Sequence, residues 1–134
     1  MRTTNDVFHL AIPVHDLDAA AHFYNELLGC KLARRYADRI TVDFFGDQLV
    51  CHLTEGLPPE QPESLYPRHF GVTFREKTDF DALHALAVTR KIPFFADVST
   101  RFGGMVEEHS TFVLLDPSGN LLEFKHYGDP RMMY

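Results

Sequence analysis

Four side chains in this 134-residue sequence could bind a metal ion: His9, His52, His69 and Glu123. Each lies in a short segment in which apolar and polar residues alternate, so its neighbours can face a core while it faces the other way. Two imidazoles and a carboxylate suit a divalent metal such as Fe(II), Mn(II), Ni(II), Co(II) or Zn(II). Two histidines plus one carboxylate with open positions is the pattern of non-haem iron oxygenases, whose open positions accept substrate oxygens.

An internal repeat of about 60 residues relates these candidates to one another. The order strand, helix and three strands occurs in residues 7–54 and again in residues 68–127. Residues 55–67 hold four of the eight prolines, which predicts a linker. Aligning the two halves makes His9 the counterpart of His69, and His52 the counterpart of Glu123. If a pseudo-twofold axis relates the halves, the four side chains converge on one site.

The predicted fold class is therefore α+β. Two tandem βαβββ modules would form a single domain, residues 1–134, as an open, eight-stranded, barrel-like sheet around the metal. Alternation and helical periodicity predict these elements: strands over 7–14, 31–36, 40–45 and 48–53 with a helix over 17–28 capped by Asp16, then strands over 68–74, 94–98, 110–115 and 121–127 with a second helix capped by Thr78 or Asp79.

Composition limits the partners. Thirteen basic residues against 19 acidic ones give a net charge of −6, which disfavours a nucleic-acid partner. No apolar stretch approaches the roughly 18 residues of a membrane span, and no secretory signal is evident. Cys30 and Cys51 lie in apolar segments, as in a reducing compartment. A cytoplasmic protein with a small-molecule substrate is the expectation.

Three segments carry a family resemblance: FHLAIPVHDLDAAAHFYNELLGCKL, RHFGVTF and FVLLDPSGNLLEFK. Together they resemble the vicinal oxygen chelate superfamily, which includes glyoxalase I, bleomycin and fosfomycin resistance proteins, extradiol dioxygenases and methylmalonyl-CoA epimerase. The resemblance implies one divalent metal held by His9, His69 and Glu123, with His52 in or beside the fourth position. It also implies that the metal binds two neighbouring substrate oxygens, and that the protein is a homodimer.

Departures from the better-known members narrow the reaction. Glyoxalase I has a glutamate in the fourth position, where this chain has His52. The basic tail of the fosfomycin resistance proteins has no equivalent here, and the bleomycin-binding members lack metal ligands. The set resembles that of extradiol dioxygenases most closely, which favours Fe(II), dioxygenase chemistry, and catalytic roles for Glu123 and His52. A lyase or isomerase of the same superfamily is the alternative, as is a resistance protein that binds a small molecule without turnover.

Five further side chains are candidates for substrate binding. Arg101 lies in a glycine-containing segment that could fold over the cavity and contact an anion, and Glu108 follows in the same segment. Lys125 follows Glu123 on one face of the last strand, and Gln48 precedes His52 in the same way. Phe45 lies near the expected edge of the cavity.

Overall fold

The structure, a computed structural model, describes residues 3–56 and 61–134. They form two compact units. The first unit comprises Met1–Gln61 with Pro117–Gly119, and the second comprises Pro62–Asp116 with Asn120–Tyr134. The boundary between them falls within the predicted linker, of which residues 57–60 lie outside the described residues.

The first unit contains a four-stranded sheet in the order β1-β4-β3-β2. Its strands are β1 (His9–Val14), β2 (Lys31–Arg35), β3 (Arg39–Phe44) and β4 (Asp47–Leu53). Strands β1 and β4 are parallel, and the other pairs are antiparallel. Between β1 and β2 lie helix α1 (Leu17–Ala21) and a π-helix (His22–Leu27).

The second unit repeats this order, with strands arranged β5-β8-β7-β6. Its elements are β5 (Phe70–Phe74), α2 (Lys77–Thr89), β6 (Phe94–Arg101), β7 (His109–Leu115) and β8 (Leu121–Tyr127), followed by a 3-10 turn (Pro130–Met133). The first and last strands of this unit, β5 and β8, are parallel, as β1 and β4 are in the first unit. The α+β class and the two βαβββ modules are confirmed, with the eight strands distributed over two sheets of four.

The sequence predicted the N-cap of the first helix but not that of the second. The Asp16 carboxylate accepts a hydrogen bond from the Ala19 amide at 2.8 Å, as expected of an N-cap. The second helix begins at Lys77 with Glu76 as its N-cap, two or three residues earlier than predicted, so Thr78 and Asp79 lie in the first turn and neither caps the helix. No helix in the described part of the chain is long and apolar enough to cross a membrane.

Alternation along the strands gives each sheet one mainly apolar face. In the second unit Phe112, Leu122 and Phe124 are fully buried, and the Phe112 ring packs 5.1 Å from that of Phe80 on α2. The intervening residues of β7 and β8 point to the opposite face, which therefore carries the polar side chains. The candidate residue Glu123 lies on this polar face.

Candidate metal centre

The Glu123 carboxylate is the centre of a buried polar cluster in the second unit. It is only 8% exposed. The Thr111 hydroxyl donates to Oε1 at 2.8 Å, while His69 Nε2 lies 3.1 Å and Lys125 Nζ 3.0 Å from Oε2. The positive charge of the Lys125 ammonium compensates the negative charge of the buried Glu123 carboxylate. His69, Glu123 and Lys125 are therefore three sequence-predicted site residues that the structure places in contact.

The orientation of His69 is set by the chain just before it. Nδ1 lies 3.0 Å from the Leu65 carbonyl oxygen, and because a carbonyl can only accept, Nδ1 carries the proton. The Tyr66 ring meets the imidazole edge-on at 5.9 Å. In the neutral ring Nε2 then has the lone pair, and this is the nitrogen that faces Glu123. Leu65 and Tyr66 lie in the predicted linker, whose lack of periodicity gave no sign of this role.

Gly71 allows β5 to approach the site closely. It is paired with Glu123 across the β5-β8 ladder. A Cβ atom at Gly71 would lie 1.7 Å from the Glu123 carbonyl oxygen. Any side chain there would have to displace the backbone that carries the carboxylate, so the site requires glycine at this position.

In the first unit, the His9 ring is also held by an oxygen acceptor at its Nδ1 atom. Its Nδ1 lies 2.6 Å from Gln48 Oε1, and because the amide oxygen accepts, this Nδ1 is also protonated. Nε2 of the neutral ring is then the nitrogen able to bind a metal. Gln48 was predicted to contact substrate, and the structure shows that it orients His9. The two imidazoles thus share one tautomer, each fixed by an oxygen acceptor.

The ladder registers relate the two modules differently from the sequence alignment. The equivalence of His9 and His69 holds, because each precedes its helix N-cap by seven residues (16 − 9 and 76 − 69). His9 is paired with Gln48, and since Phe70 is paired with Leu122, His69 is level with Leu121.

Counting two residues onward from these levels reaches Val50 in β4 and Glu123 in β8, so Val50 is the counterpart of Glu123. His52, two residues further, is the counterpart of Lys125. His52 therefore lies four residues beyond the level of His9, about 13 Å along the strand. The place of His52 in or beside the fourth metal position stays a prediction.

The other predicted substrate-binding residues have separate positions. Arg101 ends β6 and borders a cavity of the second unit. The Glu108 carboxylate accepts from the Gly104 amide at 2.6 Å and so closes the turn after β6. Phe45 occupies the two-residue turn between β3 and β4 at φ 54° and is 41% exposed.

The cavity bordered by Arg101 lies over the polar face of β6, β7 and β8 and has a volume of about 290 Å³. Its charged lining residues are Glu63, Asp97, Arg101 and Glu123, and its apolar ones include Leu65, Tyr66, Phe95 and Val113. Asp97 is held by His84 of α2, with Nε2 and Oδ1 2.9 Å apart. This hydrogen bond, together with one from the Val98 amide, lowers the pKa of Asp97.

The pair His69 and Glu123 fits a divalent metal. With Nδ1 protonated, a neutral His69 directs a lone pair at the carboxylate oxygen 3.1 Å away, so a proton or a cation must lie between them. Two ligands bound at about 2.1 Å to one ion, at an angle near 95°, are themselves about 3.1 Å apart. Within residues 3–56 and 61–134, no three His, Cys, Asp or Glu side chains form a group arranged to hold a metal. The larger set of His9, His69 and Glu123 stays a prediction.

Residues 6–124 match the Glyoxalase/Bleomycin resistance protein/Dioxygenase superfamily. The chain belongs to this superfamily, which confirms the resemblance found in the sequence. By name the superfamily contains both enzymes and resistance proteins, and its members typically bind a divalent metal.

Solved structures support the same assignment. A glyoxalase/bleomycin resistance protein/dioxygenase from Alicyclobacillus acidocaldarius is 66% identical over 100% of both chains, with a TM-score of 0.93. A lactoylglutathione lyase from Agrobacterium tumefaciens is 18% identical over 93% of this chain and 96% of its own, with a TM-score of 0.68. A fosfomycin resistance protein from Listeria monocytogenes is 13% identical over 100% of both chains, with a TM-score of 0.69. The last two share the fold alone. A comparison with curated proteins gives no match.

Proposed function

We propose that this protein is a divalent-metal-dependent enzyme that acts on a small oxygen-rich substrate, with Fe(II) and dioxygenase chemistry favoured. The observation that carries the proposal is the 3.1 Å approach of His69 Nε2 to Glu123 Oε2 beside a cavity. The hydrogen bond from Nδ1 to the Leu65 carbonyl makes Nε2 the nitrogen that carries the lone pair in a neutral ring.

In this proposal His69 and Glu123 bind the metal, and His9 is the further ligand that the sequence repeat predicts. When bound, the metal supplies a Lewis acid that holds two neighbouring substrate oxygens. The chain's own task is to orient the ligands: Gln48 fixes the His9 ring, and Thr111 fixes the Glu123 carboxylate.

His52 is assigned a different task from the metal ligands. It lies on β4, four residues beyond the level of His9. This position suits a group that exchanges a proton with the substrate and does not bind the metal ion. Lys125 keeps the Glu123 carboxylate paired with a positive charge, and it remains a candidate for contacting substrate oxygens. The predictions of a homodimer and a cytoplasmic location are separate from this assignment, and light scattering of the purified protein would check the dimer.

Metal content after anaerobic purification tests the proposal. We would measure it by elemental analysis for the wild type, His69→Ala and Glu123→Gln, with His22→Ala as the matched control. His22 lies on the exposed surface of the π-helix, where it pairs with Glu26. We expect nearly one iron per chain in the wild type and the control, much less in the two site variants, and oxygen uptake with catechols in the iron-loaded wild type.

Other results would contradict the proposal in specific ways. Zinc, nickel or manganese lost in the same two variants, without oxygen uptake, would favour the lyase or isomerase alternative. A wild type that neither contains metal nor binds it on reconstitution would refute metal dependence and favour a binding protein without turnover.

A further inference from the structure

Arg101 is the positively charged member of the four charged residues that line the cavity of the second unit, the others being Glu63, Asp97 and Glu123. Glu123 contacts Lys125 and His69, and Asp97 is paired with His84. Arg101 is exposed and has no ion pair or side-chain hydrogen bond within the described part of the chain. An arginine without a partner beside a cavity is available to a ligand, and its planar guanidinium matches a carboxylate through two parallel hydrogen bonds.

The register of the sheet sets how far Arg101 lies from Glu123. Arg101 is paired with His109, and Glu123 with Val113, four residues further along the same strand β7. This offset, with two strand spacings across the sheet, separates the two backbone positions by on the order of 15 Å. Both residues line the cavity. The guanidinium and the carboxylate therefore border opposite ends of the cavity.

The lining between these ends is apolar. Leu65, Tyr66, Phe95 and Val113 contribute to it. A volume of about 290 Å³ is at the lower limit for a small-molecule site and matches one ring with short substituents.

We propose that the substrate is a small carboxylic acid with an apolar or aromatic body, whose carboxylate binds Arg101 while its reacting oxygens lie toward Glu123. This inference rests on the proposed function for the position of the reacting end. The recognition of the carboxylate by Arg101 does not require that function and can be measured in a binding experiment without turnover.

Matched ligand pairs test this recognition. Binding of phenylacetate and of its neutral isostere phenylacetamide would be measured by titration calorimetry on the full chain, as purified and after addition of Fe(II). We expect the acid to bind the wild type about tenfold or more tightly than the amide, which is the usual strength of a charge-assisted hydrogen bond.

Three variants test whether Arg101 is the source of the preference for the acid over the amide. Arg101→Gln should bind acid and amide alike, and Arg101→Lys should keep part of the preference, because it retains the charge without the planar fork. Arg75→Gln removes a positive charge from the same unit outside the cavity and should leave the preference unchanged. Unchanged thermal unfolding would show that the Arg101 variants are folded.

The inference would be overturned by equal binding of the two ligands to the wild type, or by an acid preference that persists in Arg101→Gln. It would also be overturned if phenethylamine bound more tightly than phenylacetate and Glu63→Gln abolished that binding, because Glu63 would then recognise a cationic group. Metal content separates this inference from the proposed function: an Arg101-dependent preference in a protein that binds no metal would leave the inference standing while the proposed function fails.

Discussion

Replacing Thr111 by valine should weaken both folding and metal binding through one hydrogen bond. The hydroxyl donates to Glu123 Oε1 at 2.8 Å, and both residues are buried, at 6% and 8% exposure. Valine has nearly the same shape, so no cavity forms, but the carboxylate oxygen loses its partner. A hydrogen bond to a charged group contributes about 1.5–3 kcal/mol.

For a chain of this length, a loss of about 2 kcal/mol lowers Tm by roughly 7 °C, given an unfolding entropy near 2.1 cal/mol/K per residue. The affinity for the metal should fall by about tenfold, as is usual when a group that orients a ligand is removed. Scanning calorimetry in the presence of a chelator measures the first effect, and metal titration followed by calorimetry measures the second.

Thr111→Ser is the matched control, because it keeps the hydroxyl and removes only the methyl group. We expect serine to retain most of the wild-type metal affinity. If the valine and serine variants have the same metal affinity, or if the valine variant unfolds within about 0.5 kcal/mol of the wild type, the hydrogen bond does not support Glu123 and the reasoning is wrong.

Three further predictions concern individual positions. Gly71→Ala should cost about 3 kcal/mol or more of folding free energy and weaken metal binding, because the added methyl collides with the Glu123 backbone, whereas Gly103→Ala, where a Cβ atom meets nothing within 4 Å, should be almost neutral in a urea titration. Because the pKa of Asp97 is lowered from 3.8, its contribution to stability is present above that pH and is lost on acidification, so Asp97→Asn should lose less Tm than the wild type between about pH 5 and pH 2. Burial raises the pKa of the Cys30 thiol to about 12, so this thiol should react with a disulfide reagent at pH 8 only after urea unfolds the chain.

The strands were the most predictable part of the fold. Alternation of apolar and polar residue types gave the bounds of β8, Leu121–Tyr127, without error, and Leu122 and Phe124 are fully buried as that alternation predicts. The change from α-helix to π-helix at His22 could not be predicted, since the apolar spacing of residues 17–28 suits both. Helix type there depends on packing that periodicity does not encode.

The candidate site could be predicted from the sequence less completely than the strands. Alternation assigns a side chain to one face of a sheet but does not fix its level along the strand, and positions two residues apart share a face. That is why the alignment made His52 the counterpart of Glu123, whereas counting along the strand pairs of each unit makes Val50 its counterpart. The chemistry of His69 and Glu123 could be predicted from residue type, whereas the Leu65 carbonyl that orients His69 is a backbone group in a segment without any pattern.

Lys125 and Glu123, two residues apart on one face of β8, make the charge of this region balanced before any ligand arrives. A divalent ion beside Glu123 would add two positive charges to that balance, and negatively charged substrate oxygens lying toward Glu123 would offset part of them. Ion and substrate should therefore bind with positive cooperativity, each raising the affinity of the protein for the other by the same factor. The order in which a cell supplies them would then make no difference to the final complex, only to the route by which it forms.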